Sequence, residues 1–252
     1  MYRTELINII RKNGYKAYRE DVTINNVKKL IAIHLDGTDR IIYLNPYQFA
    51  NEKEAFAVIE KAKRILDADS EDSFLSREGF MNCVKIALCA SGKATGISKP
   101  SELDDIDEYL YLFVDDGDML ISSIVTEGML HVLGIPVEDV WKKAGENTEK
   151  TSILRDMTDM EIPGMLVATN SNIYKGAVAA LSKRVRNEFA KKTGCSKIIA
   201  IPSSVHEMIF MPYRENTDFD ALADIISVVN GMDGCIRHED VLGTRCYVLE
   251  AD

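Results

Sequence analysis

Lys197-Ile198-Ile199-Ala200-Ile201, then Pro202-Ser203-Ser204, then Val205-His206-Glu207-Met208-Ile209-Phe210-Met211: two apolar runs stand on either side of a short polar bend. Runs this short, rich in β-branched residues and separated by turn formers, read as strands. The second is apolar on both faces, which suits a strand covered on both sides and therefore central in its sheet. Working outward, Val178, Leu181, Val185 and Phe189 share one face of a helix expected over 175–193 and stopped by Gly194. It follows a short strand expected over 165–169. On the other side, Phe219, Leu222, Ala223, Ile226 and Val229 mark a last amphipathic helix, and residues 245–249 a terminal strand.

The rest of the chain has the same mixed character. Leu6, Ile9 and Ile10 recur at helical spacing and Asn13-Gly14 stops them. Strands are expected over 15–24, 29–35 and 40–44, with Asp36-Gly37 as a hairpin turn. Asn51 caps a helix whose Glu54 completes a capping box. Phe80, Val84, Ala87 and Leu88 predict one long helix over 76–90. Residues 109–114 and 119–125 flank Asp115-Asp116-Gly117-Asp118 as a second hairpin. Thr126 caps a helix ended by Gly134, and Pro136 opens the next, which runs to about residue 147. A further helical turn or two is expected near 150–157. Elements that do not strictly alternate favour an α+β fold over a doubly wound sheet, with mixed or antiparallel sheets covered by amphipathic helices. Two subdomains are expected, 1–92 and 107–252, with 93–106 a loop or linker of Gly, Ser, Pro and acids.

Composition narrows the function classes. No stretch approaches the roughly 20 apolar residues of a membrane span, and the first residues lack a signal peptide's apolar run. The cysteines, Cys83, Cys89, Cys195, Cys235 and Cys246, are odd in number and fit no disulfide framework, so reduced thiols in the cytoplasm are expected. The net charge of −10 argues against nucleic acid as a partner. The one basic run, Lys183-Arg184-Val185-Arg186 with Lys191-Lys192, reads as a solvated helix face.

Signatures of known chemistry are missing from the sequence. It has no phosphate-binding glycine loop, no Gly-x-Ser-x-Gly elbow, no His-Glu-x-x-His and no paired Cys-x-x-Cys. The candidate catalytic residues are Ser203, Ser204, His206 and Glu207, which bring two hydroxyls, an imidazole and a carboxylate to one corner. Neighbouring strand residues point to opposite faces, so His206 and Glu207 cannot both address one serine by adjacency. A serine-rich turn bonding its own backbone beside a packed histidine is the favoured reading. Asn170, Ser171 and Asn172 stand at a strand-to-helix corner, where free N–H groups could hold an anion, though capping is favoured. The acids from Glu102 to Asp118 read as solvated loops, and Cys235, His238 and Cys246 as packed thiols beside a surface histidine. No metal or cofactor is assigned.

Three segments together resemble a known family. Ile41-Ile42-Tyr43-Leu44-Asn45, then Met165 to Asn170 leading into Lys175-Gly176-Ala177-Val178-Ala179-Ala180-Leu181, and Ala200 to Ile209 are similar to a bacterial domain-of-unknown-function family, numbered 5688. The resemblance covers residues 21–249, with Pro-Ser-Ser-Val-His-Glu as its most specific element. It implies a bacterial cytoplasmic setting and assigns no catalytic residue.

The sequence therefore favours an uncharacterised, non-catalytic protein-binding or accessory module with a protein partner, no nucleic acid and no membrane. A homo-oligomer is compatible with it. The alternative is a hydrolase-like enzyme using the Ser203–Glu207 corner. A third reading is an acidic mimic of nucleic acid.

Overall fold

The computed structural model describes residues 3–20, 30–34, 41–44, 49, 51–66, 76–115, 119–157, 164–232 and 235–252. In chain order these form α1 (Arg3–Lys12), β1 (Lys16–Glu20), β2 (Leu30–His34), β3 (Ile41–Leu44), α2 (Glu52–Leu66), α3 (Arg77–Cys83), β4 (Val84–Ala90), β5 (Ser98–Pro100), β6 (Ile106–Asp115), β7 (Met119–Ile124), α4 (Glu127–Leu133) and α5 (Val137–Thr151). There follow β8 (Ser152–Asp156), β9 (Leu166–Asn170), a 3₁₀ segment (Gly176–Leu181), α6 (Lys183–Thr193), β10 (Lys197–Ser204), β11 (Glu207–Pro212), α7 (Phe219–Gly231), a 3₁₀ turn (His238–Asp240) and β12 (Tyr247–Glu250). The fold is α+β, with antiparallel sheets and helices packed on them.

The chain divides into two compact units. The first comprises Met1–Lys85 and Tyr111–Ala144, the second Ile86–Leu110 and Gly145–Asp252. The chain thus passes between units within β4, β6 and α5. Residues 93–106, expected as a loop or linker, lie inside the second unit, where β5 pairs antiparallel with Asp107–Tyr109 of β6.

In the first unit the strands run β1-β2-β3-β7-β6, all antiparallel. Leu6, Ile10, Ile31, Ile33, Ile59 and Ile121 are among its buried apolar residues. The expected caps are there. Asn51 Oδ1 accepts from the Glu54 N–H at 3.1 Å, and Glu54 Oε1 accepts from Asn51 Nδ2 at 2.8 Å. Thr126 Oγ1 accepts from Met129 N–H, and Gly134 ends α4 in the left-handed region at φ 61°. The turns at Asp36-Gly37 and Asp116-Gly117-Asp118 lie outside the described residues.

In the second unit the sheet order is β12-β10-β11-β9-β8, so β11 is central, as its two apolar faces require. Phe189 of α6 meets Phe210 of β11 edge-on, with ring centres 5.6 Å apart, among Leu154, Ala168, Val185, Ile198 and Met208. Each such aromatic contributes about 1.5–3 kcal/mol by burial.

Three expectations of continuous helix need correction. The helix expected over 76–90 stops at Cys83, and the chain continues as β4. Phe80, Val84, Ala87 and Leu88 are indeed buried, but an extended strand buries the last three. Their helical spacing is coincidental to the backbone. Residues 152–156 are not a helical turn but β8, paired along its length with β9. The helix over 175–193 is two elements. Ser182 interrupts it with extended backbone (φ −72°, ψ 119°), and its Oγ accepts from Val185 N–H at 3.2 Å, capping α6 afresh.

Candidate functional site

The bend after β10 is stitched from several directions. The Val205 N–H donates to the Asp240 carbonyl at 2.9 Å, and the Val205 carbonyl accepts from Ala177 N–H at 3.2 Å. Thr169 Oγ1 donates to the His206 carbonyl at 2.8 Å. Ser204 Oγ accepts from the His206 N–H at 3.1 Å, and Ser203 Oγ donates to Glu207 Oε1 at 3.4 Å. Glu207 Oε2 in turn pairs with Arg155 Nη2 at 3.1 Å. The four sequence candidates thus divide. Ser203, Glu207 and Arg155 form one chain of contacts, and Ser204 braces backbone.

The His206 ring looks elsewhere. The residue is only 3% exposed. Its Nδ1 accepts from the Lys175 N–H at 3.0 Å, which places the ring hydrogen of the neutral imidazole on Nε2. Nε2 lies 3.5 Å from Asp240 Oδ1, too far for a strong hydrogen bond, and has no hydrogen-bond partner. Asp240 Oδ2 accepts from Arg237 Nε at 2.9 Å. Burial of Asp240 opposes its ionisation, but His206 and Arg237 outweigh it and hold the carboxyl below the usual carboxylate range.

Lys175 sits where the backbone is closely constrained. Its φ is 52° and that of Ile173 is 53°, two non-glycine residues in the left-handed region within one short loop. Such strain persists only where surrounding contacts over-determine the backbone. Here they do. At Gly176 an added Cβ would stand 2.5 Å from Thr169 Oγ1, 2.6 Å from Asn170 N and 2.8 Å from the His206 carbonyl oxygen. Only glycine allows that approach. The Lys175 side chain is half-buried, with Nζ 5.1 Å from the centre of the Tyr109 ring and 5.5 Å from that of Tyr174. Tyr174 also packs against His206, ring centres 5.6 Å apart. Desolvation pushes the Lys175 amine down to about 8, against the pull of Asp240 and Cys89.

Asn170 builds the loop that carries this lysine. Its Oδ1 accepts from the N–H groups of Asn172 and Tyr174, each at 3.2 Å, and its Nδ2 donates to the Tyr174 carbonyl at 2.8 Å. Ser171 Oγ donates to Asn172 Oδ1 at 3.3 Å. Of the Asn170-Ser171-Asn172 corner, the Asn172 N–H is therefore engaged within the loop, and the Ser171 N–H donates to the Thr151 carbonyl at 2.9 Å.

Several acidic residues of the second unit meet cations or hydrogen-bond donors. Glu102 pairs with Arg186, and Asp104 and Asp105 with Arg245 at 3.2 and 3.1 Å. Asp107 accepts from Ser91 Oγ and Gly92 N–H. In the basic run, Lys183 pairs with Asp252 and Arg184 with Glu149, while Arg186 is buried. A cleft of about 430 Å³ opens among Glu102, Arg186, Arg245 and Tyr247, edged by these charge pairs. Among the described residues no group of three or more metal-type ligands forms.

A second surface stands out in the same unit. Helix α7 buries only Ile226 fully. Ile225 is 58% exposed, Val228 63%, Val229 38% and Met232 52%. With Ala221, also exposed, residues 221, 225, 228 and 232 form one stripe at helical spacing.

Lys175, Asp240, Tyr109 and Tyr174 were not singled out by the sequence. They come from three separate stretches, and only the unusual run Asn170-Ser171-Asn172-Ile173-Tyr174-Lys175-Gly176 between strand and helix hinted at a built loop.

This is an α+β protein whose second unit carries a strained lysine loop packed on a buried histidine. The chain belongs to a family of unknown function, DUF5688, whose model matches residues 102–250. No curated protein and no solved structure matches it. Among the described residues no helix is long and apolar enough to cross a membrane.

Proposed function

We propose that the chain is a non-catalytic protein-binding or accessory module of the bacterial cytoplasm, and that its partner docks on α7. The exposed stripe of Ile225, Val228 and Met232 carries this reading. Large apolar side chains gathered on one helix face, and not scattered singly, mark an interaction surface. The charged residues of α7 are Asp220 and Asp224, with Asp218 as its cap, and the helix has no lysine or arginine. The complementary partner is therefore an apolar groove or helix with a basic rim. Five free thiols agree with a reducing compartment.

Catalysis at the Ser203–Glu207 corner has less behind it, because neither serine hydroxyl contacts the imidazole. An acidic mimic of nucleic acid also has less, because described carboxylates of the second unit pair locally with cations.

The test uses two synthetic helical peptides with the same leucine stripe, one flanked by lysines and one by glutamates. The lysine peptide is expected to bind with a negative heat-capacity change. The glutamate peptide should bind at least about tenfold more weakly. Ile225→Lys/Val228→Lys should abolish binding with the thermal midpoint retained. Equal binding of both peptides, or binding unchanged in the double variant, overturns the reading. So does a homodimer by light scattering that the same substitutions dissolve, since the occupant would then be a second copy. Ester, amide or phosphoester turnover lost in Ser203→Ala and His206→Ala would overturn the non-catalytic half.

A further inference from the structure

We propose that the outer edge of β12 takes up an extended segment of a basic protein partner as a further antiparallel strand. This surface is separate from α7. Among the described residues β12 ends its sheet, with β10 on one side only. The Ala251 N–H donates to the Ser196 carbonyl at 2.8 Å, and the register continues through Leu249 opposite Ile198 and Tyr247 opposite Ala200. Hydrogen-bonded pairs alternate along an antiparallel ladder, so residues 247, 249 and 251 address β10. The backbone N–H and C=O groups of Val248 and Glu250 therefore face the other way.

A cavity lies along that edge. The cleft of about 430 Å³ is lined by residues 245–250 without a gap, and by no residue of β10. A pocket over one face of a strand meets alternate residues, whereas one that meets every residue runs beside the backbone. Residues 102–104 and Arg186 complete the lining, and Tyr247 Oη donates to the Asp104 carbonyl at 3.1 Å. Exposed edges are usually blunted by lysine, proline or a bulge. The strand Tyr247–Glu250 contains neither residue, and its register with β10 is unbroken. An unblunted edge beside a groove is the geometry of strand addition.

Charge selects the occupant. Arg186 pairs with Glu102, and Arg245 with Asp104 and Asp105. Glu250 is exposed, and among the described residues its carboxylate has no partner. Its cross-strand neighbour Lys197 turns instead to the Tyr213 ring, with Nζ 4.2 Å from the centre. The unanswered charge on this edge is thus negative. Val248, 43% exposed, stands two residues away on the same face. A matching strand carries an apolar β-branched residue opposite Val248 and a lysine or arginine opposite Glu250. The chain's net charge of −10 disfavours a second copy there.

The full chain is titrated with the capped, fluorescently labelled peptide Thr-Lys-Thr-Val-Thr-Val-Thr, and with the same peptide carrying glutamate for lysine. The lysine peptide should bind at least about tenfold more tightly. Glu250→Lys, at an exposed position, should reverse that order. N-methylation of the central valine, whose N–H would face Val248, should abolish binding. N-methylation of the threonine after it should not, because that N–H points away from β12. The methylation comparison is read on the wild-type chain and needs no variant to fold. Equal affinity for the two peptides, equal effects of the two methyl groups, or no binding up to about 1 mM overturns the proposal. So does a homodimer by light scattering that Val248→Pro dissolves. Ile225→Lys/Val228→Lys should leave binding of the strand peptide unchanged. Loss of binding there would place the peptide on α7 and overturn this proposal without touching the α7 reading.

Discussion

The backbone N–H of Lys175 donates to Nδ1 of His206 across 3.0 Å, joining the lysine loop to the bend between β10 and β11. The histidine is an acceptor on one side and faces the Asp240 carboxylate on the other. Its ring is therefore a spacer between two parts of the second unit. Its removal should be felt first as lost stability.

His206→Ala is expected to destabilise the protein by about 2–4 kcal/mol, because it empties a buried site and leaves the Lys175 N–H without its acceptor. Urea unfolding should show a lower midpoint with unchanged slope. A loss below about 0.5 kcal/mol would mean that the bond contributes little, as at ordinary surface positions.

Glycine positions give a paired test. Gly176→Ala drives a Cβ into the backbone of Asn170 and His206 at 2.6 and 2.8 Å, where neither neighbour can yield cheaply. It should cost about 1–3 kcal/mol or more. Gly145→Ala, inside α5 with nothing within 4 Å of the new Cβ, should stabilise by about 0.5–1 kcal/mol through helix propensity. Thermal midpoints moving in opposite directions would bear this out, and similar losses at both would not.

The titrating pair predicts two separate pH effects. The folded Lys175 amine lies near 8, below its ordinary 10.5, so between those values the unfolded chain binds more protons. Stability from this group therefore rises with pH from about 8 to 10.5. Asp240 has the opposite ordering for an acid. Its folded value is below the usual 3.8, so its stabilisation is present above that pH and lost as pH falls through the folded value. Chemical unfolding of wild type against Lys175→Met and Asp240→Asn isolates each term. A wild-type minus Lys175→Met difference that stays flat from pH 8 to 10.5 would refute the first. The same flatness below pH 4 against Asp240→Asn would refute the second.

How far the sequence could be read depended on the range of the signal. Thr126, Gly134, Asn51 and Gly194 were legible because a cap concerns only the few residues beside it. The central place of β11 was legible because both of its faces are apolar. The failures came where burial and backbone part company. Val84, Ala87 and Leu88 are buried at helical intervals along a strand. Val178, Val185 and Phe189 keep one buried stripe although Ser182 breaks the helix beneath them. Apolar spacing reports which side chains are covered, and a packed neighbour can cover either geometry. The cluster at Lys175 was hidden for a different reason. Lys175 and His206 stand 31 residues apart, and only the folded chain brings them together.

Each unit is assembled from two stretches of chain, Met1–Lys85 with Tyr111–Ala144 and Ile86–Leu110 with Gly145–Asp252. No single peptide-bond cleavage can therefore release either one whole. During synthesis, residues 86–110 must wait until everything from 145 onward has emerged, with 34 residues belonging to the other unit made in between. Limited proteolysis should accordingly yield nicked but associated fragments, and gene fusions that cut at one point will carry a partner's missing piece or fail to fold. The family match over 102–250 takes in residues of both units.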